Sequence, residues 1–182
     1  MTQDLLKLYD QASAWTTEKV AGAKDKLDGR STCDEWNLRT LLDHMLETQR
    51  YFASSARGED ASPPSGTPPA TLSSDPASDF ESARQDVLST FGEDGVIERT
   101  GPSLGIAFSD MLIHGWDVAQ SSGQDARMPE GLAEAAYEMV HGKFTDAQRK
   151  GTFKPEVSIG ADASPQDRLL AYTGRDPRVT ST

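Results

Sequence analysis

The stretch Phe108-Ser-Asp-Met-Leu-Ile-His-Gly-Trp-Asp-Val-Ala119 constrains the fold of this chain more than any other. It reads as helix, with Asp110, His114 and Asp117 at i, i+4 and i+7. At about 100° per residue these three side chains fall within an arc of roughly 60°. Ala107, Met111 and Val118 begin beside that arc, and Phe108 and Leu112 lie further round. A carboxylate and an imidazole bordering an apolar face suit the rim of a bundle core better than a fully solvated helix.

The remaining segments follow the same period. From Asp4 to about Lys24, Leu5, Leu8, Tyr9, Ala12, Trp15 and Val20 form one apolar stripe. Asn37 is placed to cap a second helix from Leu38 to Arg57, stopped by Gly58. Leu38, Leu41, Leu42, Met45 and Phe52 make its buried stripe, Asp43 and Glu47 are expected outside, and His44 stands on the border. Residues 59–76, rich in Pro, Ser and Gly, read as a mobile crossover loop, more plausibly a linker than a lid. A third helix is expected from Ser78 or Asp79 to Gly92, a fourth from Leu104 to Ser122 and a fifth from Pro129 to about Gly142. A short final helix opens at Pro165 and closes at Gly174. Alternating strand patterns are nearly absent, so the fold class is all-α, a four-helix core with short extra C-terminal helices in a single domain spanning 1–182.

Composition narrows the partners. The formal net charge is −11, and no cluster of Lys and Arg offers phosphate contacts, which argues against nucleic acid or an anionic membrane. No run reaches the ~18 apolar residues of a membrane span, and the first residues lack the pattern of a secretory signal. The lone Cys33 fits a reducing compartment, so a cytoplasmic protein, monomer or homodimer, is expected.

The border residues carry the chemistry. A catalytic Zn²⁺ site takes three protein ligands of imidazole or carboxylate type at about 2 Å and keeps a fourth position open. His44 from one helix, with Asp110 and His114 one turn apart on another, supplies that number and those types, and Asp117 is placed to orient a ligand ring. The same spacing also fits a solvated Asp–His pair worth about a few tenths of a kcal/mol, with His44 bonded to a backbone carbonyl. His141, beside Gly142, reads as a cation near a helix C-terminus. Cys33 reads as a small buried side chain, and Trp36 and Trp116 as packing residues. Arg39, Gln49 and Arg168 are polar candidates for anchoring a ligand. No phosphate-binding glycine loop, dinucleotide fingerprint or nucleophile elbow is present, and no catalytic acid or base is named.

Cys33-Asp-Glu-Trp-Asn-Leu-Arg-Thr-Leu-Leu-Asp-His44 resembles the Cys-x-x-Trp…His segment of actinobacterial proteins related to mycothiol-dependent maleylpyruvate isomerase. Asp110-Met-Leu-Ile-His-Gly-Trp-Asp117 resembles their second metal-binding segment, and the tail from Ala163 to Pro177 is similar to the closing signature of one subgroup. The resemblance implies the DinB-like fold, a four-helix bundle with a divalent metal at one end, zinc being the first expectation. By position His44, Asp110 and His114 match the family's three ligands. The isomerase has a Glu where Asp110 stands here. It also carries a C-terminal domain that helps bind substrate, for which this chain is expected to be too short, so maleylpyruvate isomerisation itself is not carried over. What the resemblance implies is a metal-dependent enzyme that activates a low-molecular-weight thiol, such as mycothiol, for thiol transfer or thiol-assisted isomerisation of a small molecule. A metal-binding or small-ligand-binding bundle without turnover would use the same three residues, and a purely structural bundle would hold no metal.

Overall fold

A computed structural model describes residues 2–33, 35–145 and 153–178. Among these residues there are seven α-helices and no strand: α1 (Thr2–Gly22), α2 (Leu38–Arg57), α3 (Pro76–Phe91), α4 (Val96–Thr100), α5 (Ser103–Ser122), α6 (Leu132–Val140) and α7 (Pro165–Tyr172). No helix among them is long and apolar enough to cross a membrane.

Local chemistry sets most of the boundaries. The Asn37 side chain accepts the Thr40 N–H at 2.9 Å and starts α2, while Gly58, at φ 78°, takes the left-handed conformation that ends it. Asp75 caps α3 through the Ser78 N–H at 3.2 Å, so that helix begins at Pro76, earlier than the apolar stripe alone suggests. α6 begins at Leu132 rather than Pro129, because residues 129–131 form a turn. α1 ends at Gly22, and Lys24 falls in a 3-10 turn, Lys24–Lys26. The short α4 has no apolar period to announce it. The fifth helix is expected to end near Gly142; α6 stops at Val140, with His141 as its C-cap.

Four helices make the bundle. α1 packs on α3 and α5, and α2 packs on α3 and α5, so α5 stands between α1 and α2. α6 covers α5, and α7 packs on α6. Tyr9, Ala12, Trp15, Phe108, Leu112 and Trp116 are among the residues that fill one half of the interior, and Leu38, Leu41, Leu42, Met45, Phe80 and Met111 the other. α1 comes close to α5 at Gly115, where a Cβ would fall 2.7 Å from the Trp15 ring and onto the Thr16 hydroxyl. Only hydrogen fits there.

Asp43 corrects the sequence expectation. It is buried rather than outward-facing, and its Oδ1 accepts the Thr71 and Leu72 N–H groups at 2.7 and 2.8 Å. A side chain placed beside the apolar stripe was needed to satisfy backbone donors of the crossover loop, a demand that helical periodicity does not register. Those bonds pin the end of the 59–76 segment onto α2, and Ser65 reaches Glu47 at 3.4 Å. The segment is irregular but tethered.

Candidate metal centre

The square arrangement turns one face of α2 toward one face of α5, and His44, Asp110 and His114 meet there. Each offers one ligand atom, and these atoms all lie within 4.8 Å of one another. His114 Nε2 stands 3.5 Å from Asp110 Oδ1, and the two imidazole rings meet edge to face at 5.5 Å between centroids. Two atoms bound at about 2.1 Å to one tetrahedral ion stand about 3.4 Å apart, so the His114–Asp110 separation fits a shared ion. His44 Nδ1 and Asp110 Oδ2 are buried with no hydrogen-bond partner among the described residues. Burial, with His114 adding to it against the pull of Asp110, holds His44 below its ordinary imidazole value and favours the neutral, ligating form. Trp36 packs against His44 with ring centroids 5.0 Å apart, so its packing role is performed on a site residue.

Behind this cluster lies a chain of charge. Asp117 is fully buried, and its Oδ2 lies 2.9 Å from His114 Nδ1, the orienting role expected from spacing. With Nδ1 carrying the proton toward a carboxylate, Nε2 keeps its lone pair for the Asp110 side. Asp117 accepts the Thr32 hydroxyl at 2.7 Å and Arg175 in two-pronged fashion, Nε at 2.9 Å to Oδ1 and Nη2 at 2.6 Å to Oδ2. Burial pushes the Asp117 carboxyl up, but Arg175 first and His114 next outweigh it and hold it well below the usual range. Arg175 is the residue that sequence reasoning missed. It follows the last helix, where no period marks it, and its inclusion in the tail segment from Ala163 to Pro177 was its only signal.

Cys33, His114 and Asp117 also come within 4.8 Å of one another. That set is less suited to a metal. Burial pushes the Cys33 thiol up to about 11, Asp117 adding to it against Arg175 and Lys154, and the Asp117 oxygens are already taken by Arg175, Thr32 and His114. The other candidates lie elsewhere. Arg39 is exposed, Gln49 is buried and accepts the Tyr9 hydroxyl, and Arg168 sits 6.0 Å from the Tyr137 ring. His141 caps α6 and stacks on Tyr137 at 4.7 Å, outside the cluster.

The His44–Asp110–His114 cluster opens into a cavity of about 1480 Å³ that runs between the 28–37 loop, α2, α5, the end of α6 and the 173–176 segment. Such a volume admits two small molecules side by side.

Fold and site together define an all-helical bundle with two imidazoles and a carboxylate gathered in a cavity wall. The chain belongs to the mycothiol maleylpyruvate isomerase N-terminal domain family, which matches residues 9–119 and so takes in α2, α5 up to residue 119 and all three clustered residues. It is also similar to two uncharacterised proteins of Mycobacterium tuberculosis, from strains CDC 1551 / Oshkosh and ATCC 25618 / H37Rv. Each is 26% identical over 162 residues, covering 85% of this chain and 87% of the relative. No solved structure matches.

Proposed function

We propose that this chain is a metal-dependent enzyme in which His44, Asp110 and His114 hold a divalent ion, zinc by the nature of the donors, and a low-molecular-weight thiol of the mycothiol type is a cosubstrate. The reaction class is thiol transfer or thiol-assisted isomerisation of a small molecule. One observation carries this reading: ligand atoms of three suitable side chains converge beside a large cavity while His44 Nδ1 and Asp110 Oδ2 stay buried and unpartnered among the described residues. Buried polar atoms are otherwise almost always satisfied. Membership of a mycothiol-linked family supports the thiol.

When bound, a zinc ion would supply Lewis acidity that stabilises a thiolate at neutral pH. The protein's own residues supply orientation. Arg175 and Thr32 fix Asp117, Asp117 fixes the tautomer of His114, and Trp36 fixes the plane of His44. Cys33, held protonated by burial, does not compete as a nucleophile. The cavity favours turnover over simple metal storage, because storage requires no room for a second molecule beside the ligands.

Elemental analysis of tag-free protein tests the reading, with a His44→Ala, His114→Ala double variant alongside. About one equivalent of metal in the wild type and none in the variant is expected, together with thiol-dependent turnover that chelation abolishes. Protein that neither contains metal nor takes it up on reconstitution would remove the proposal.

A further inference from the structure

The cavity has two unlike ends. Its charged lining residues lie on the 28–35 loop, at the His44–Asp110–His114 cluster and its Asp117 support, and along 154–176. The wall between α2, α5 and α6 is different in kind. Phe52, Ile106, Ile113, Met139, Phe144 and Phe153 line it, and the charged lining residues that α2, α5 and α6 contribute, Asp110 and Asp117, are both acids. Ile106, 42% exposed, is the large hydrophobic residue left open to solvent among the described residues, and it faces this cavity.

A polar atom in the same wall is unmet. Thr48 is 5% exposed and lines the cavity, yet its hydroxyl has no hydrogen-bond partner among the described residues. Helical threonines ordinarily return the hydroxyl to a carbonyl one turn back, as Thr17 does to Ser13 at 2.9 Å and Thr173 to Leu169 at 3.0 Å. Ser109, across the cavity on α5, does the same to Gly105 at 2.9 Å. Thr48 departs from this pattern, and a buried unmet hydroxyl is costly unless something supplies its partner. No lining residue of α2, α5 or α6 is a cation: Arg30, Lys154 and Arg175 line the cavity from the 28–37 loop and the chain at 153–176, and Arg175 is committed to Asp117.

We infer that this half of the cavity binds an uncharged, largely apolar small molecule that presents one oxygen atom to the Thr48 hydroxyl, and that it rejects carboxylates. An unpaired carboxylate buried against this wall would lose its hydration without compensation. Calling the molecule the acceptor of the thiol rests on the function proposed above; its binding does not, because none of the six apolar residues nor Thr48 is a proposed metal ligand.

The experiment uses the full chain, zinc-loaded and chelator-treated, titrated with the uncharged fluorophore N-phenyl-1-naphthylamine and then competed with naphthalene, 2-naphthol or 2-naphthoate. Saturable probe binding is expected in both forms, and in the chelator-treated form 2-naphthol should displace it at a concentration about tenfold below 2-naphthoate. Ile106→Asp, at a position exposed enough to tolerate charge, should weaken the probe about tenfold. Thr48→Val, nearly isosteric, should erase the advantage of 2-naphthol over naphthalene, about fivefold, while leaving the probe in place. Absence of probe binding in both forms, equal competition by 2-naphthoate in the chelator-treated form, or unchanged binding in Ile106→Asp would each overturn the inference. Probe binding in a protein that never takes up metal would leave this inference standing and remove the metal-dependent one.

Discussion

The two sides of α5 are built on opposite principles. Toward α1 the surfaces close completely: Gly115 lets the Trp15 ring and Thr16 come against the backbone, and the Thr16 hydroxyl donates to the Met111 carbonyl at 3.0 Å. Toward α2 they part, and His44 Nδ1, Thr48 Oγ1 and Asp110 Oδ2 are left without partners among the described residues. Two further unmet atoms, in Gln49 and Arg84, lie outside the cavity wall, so the concentration is marked without being total. One side maximises packing and polar satisfaction; the other keeps unmet groups facing a void. A fold that satisfies most of its polar groups elsewhere leaves such groups where something else is meant to satisfy them.

At the base of the open side Asp117 and Arg175 form an exception, a charge pair that is fully engaged. Removing one partner tests that description most severely. Arg175→Met leaves a buried carboxylate and should cost about 3–5 kcal/mol at neutral pH in chemical denaturation. An Asp117→Asn, Arg175→Met double variant should recover more than half of that loss. The pH dependence has a definite sign. In the wild type the depressed Asp117 contributes stability that is present above its unfolded value and lost as pH falls. Without Arg175, burial raises the same carboxyl, so the deficit of Arg175→Met should shrink as pH falls from 7 toward 4. A deficit that stays constant would mean the pair contributes packing rather than charge.

On the closed side the corresponding test adds atoms. Gly115→Ala places a methyl against Trp15 and Thr16, neither of which has room to withdraw, since Trp15 is buried and Thr16 is fully so. Overpacking of this kind costs about 2–3 kcal/mol, which thermal or chemical unfolding would register directly. Little change would show that the α1–α5 contact is looser than its geometry.

How much of this was legible in the sequence divides along the same line. Period and caps located α2, α5 and α7 nearly to the residue, because Asn37, Gly58 and Ser164 act on their immediate neighbours. His44, Asp110 and His114 were legible because residue type and helical phase together place them on facing borders. What escaped is what depends on tertiary approach. Asp43 was misplaced because its partners, Thr71 and Leu72, are nearly thirty residues away in irregular chain. Arg175 reaches Asp117 across 58 positions from beyond the last helix, and no local pattern encodes that bond. The cavity's apolar half draws on α2, α5, α6 and the chain near Phe153, so no single segment displays it.

If the unmet atoms of the open side await a metal, the metal-free protein should gain from losing one of them. His44→Leu removes the buried Nδ1 and keeps most of the ring's volume. Compared without metal, its stability should fall within about 1 kcal/mol of the wild type and on the favourable side. Zinc should then raise the melting temperature of the wild type alone. A metal-free His44→Leu protein that is strongly destabilised would show that His44 is held by packing the void does not reveal.

The mildest test uses the other glycine of α5. A Cβ at Gly105 would meet the Met139 sulfur at 3.2 Å, the mobile end of a flexible side chain that lines the cavity, where Gly115 meets a ring and a buried hydroxyl. Alanine also favours helix over glycine by about 0.5–1 kcal/mol, which offsets the small displacement. Gly105→Ala should therefore leave stability within about 0.5 kcal/mol of the wild type, in the same denaturation assay that penalises Gly115→Ala. Equal penalties at the two glycines would dissolve the distinction between the sides of α5. A penalty confined to Gly115 would establish that one helix carries, about three turns apart, a surface that cannot yield and a surface with room to spare.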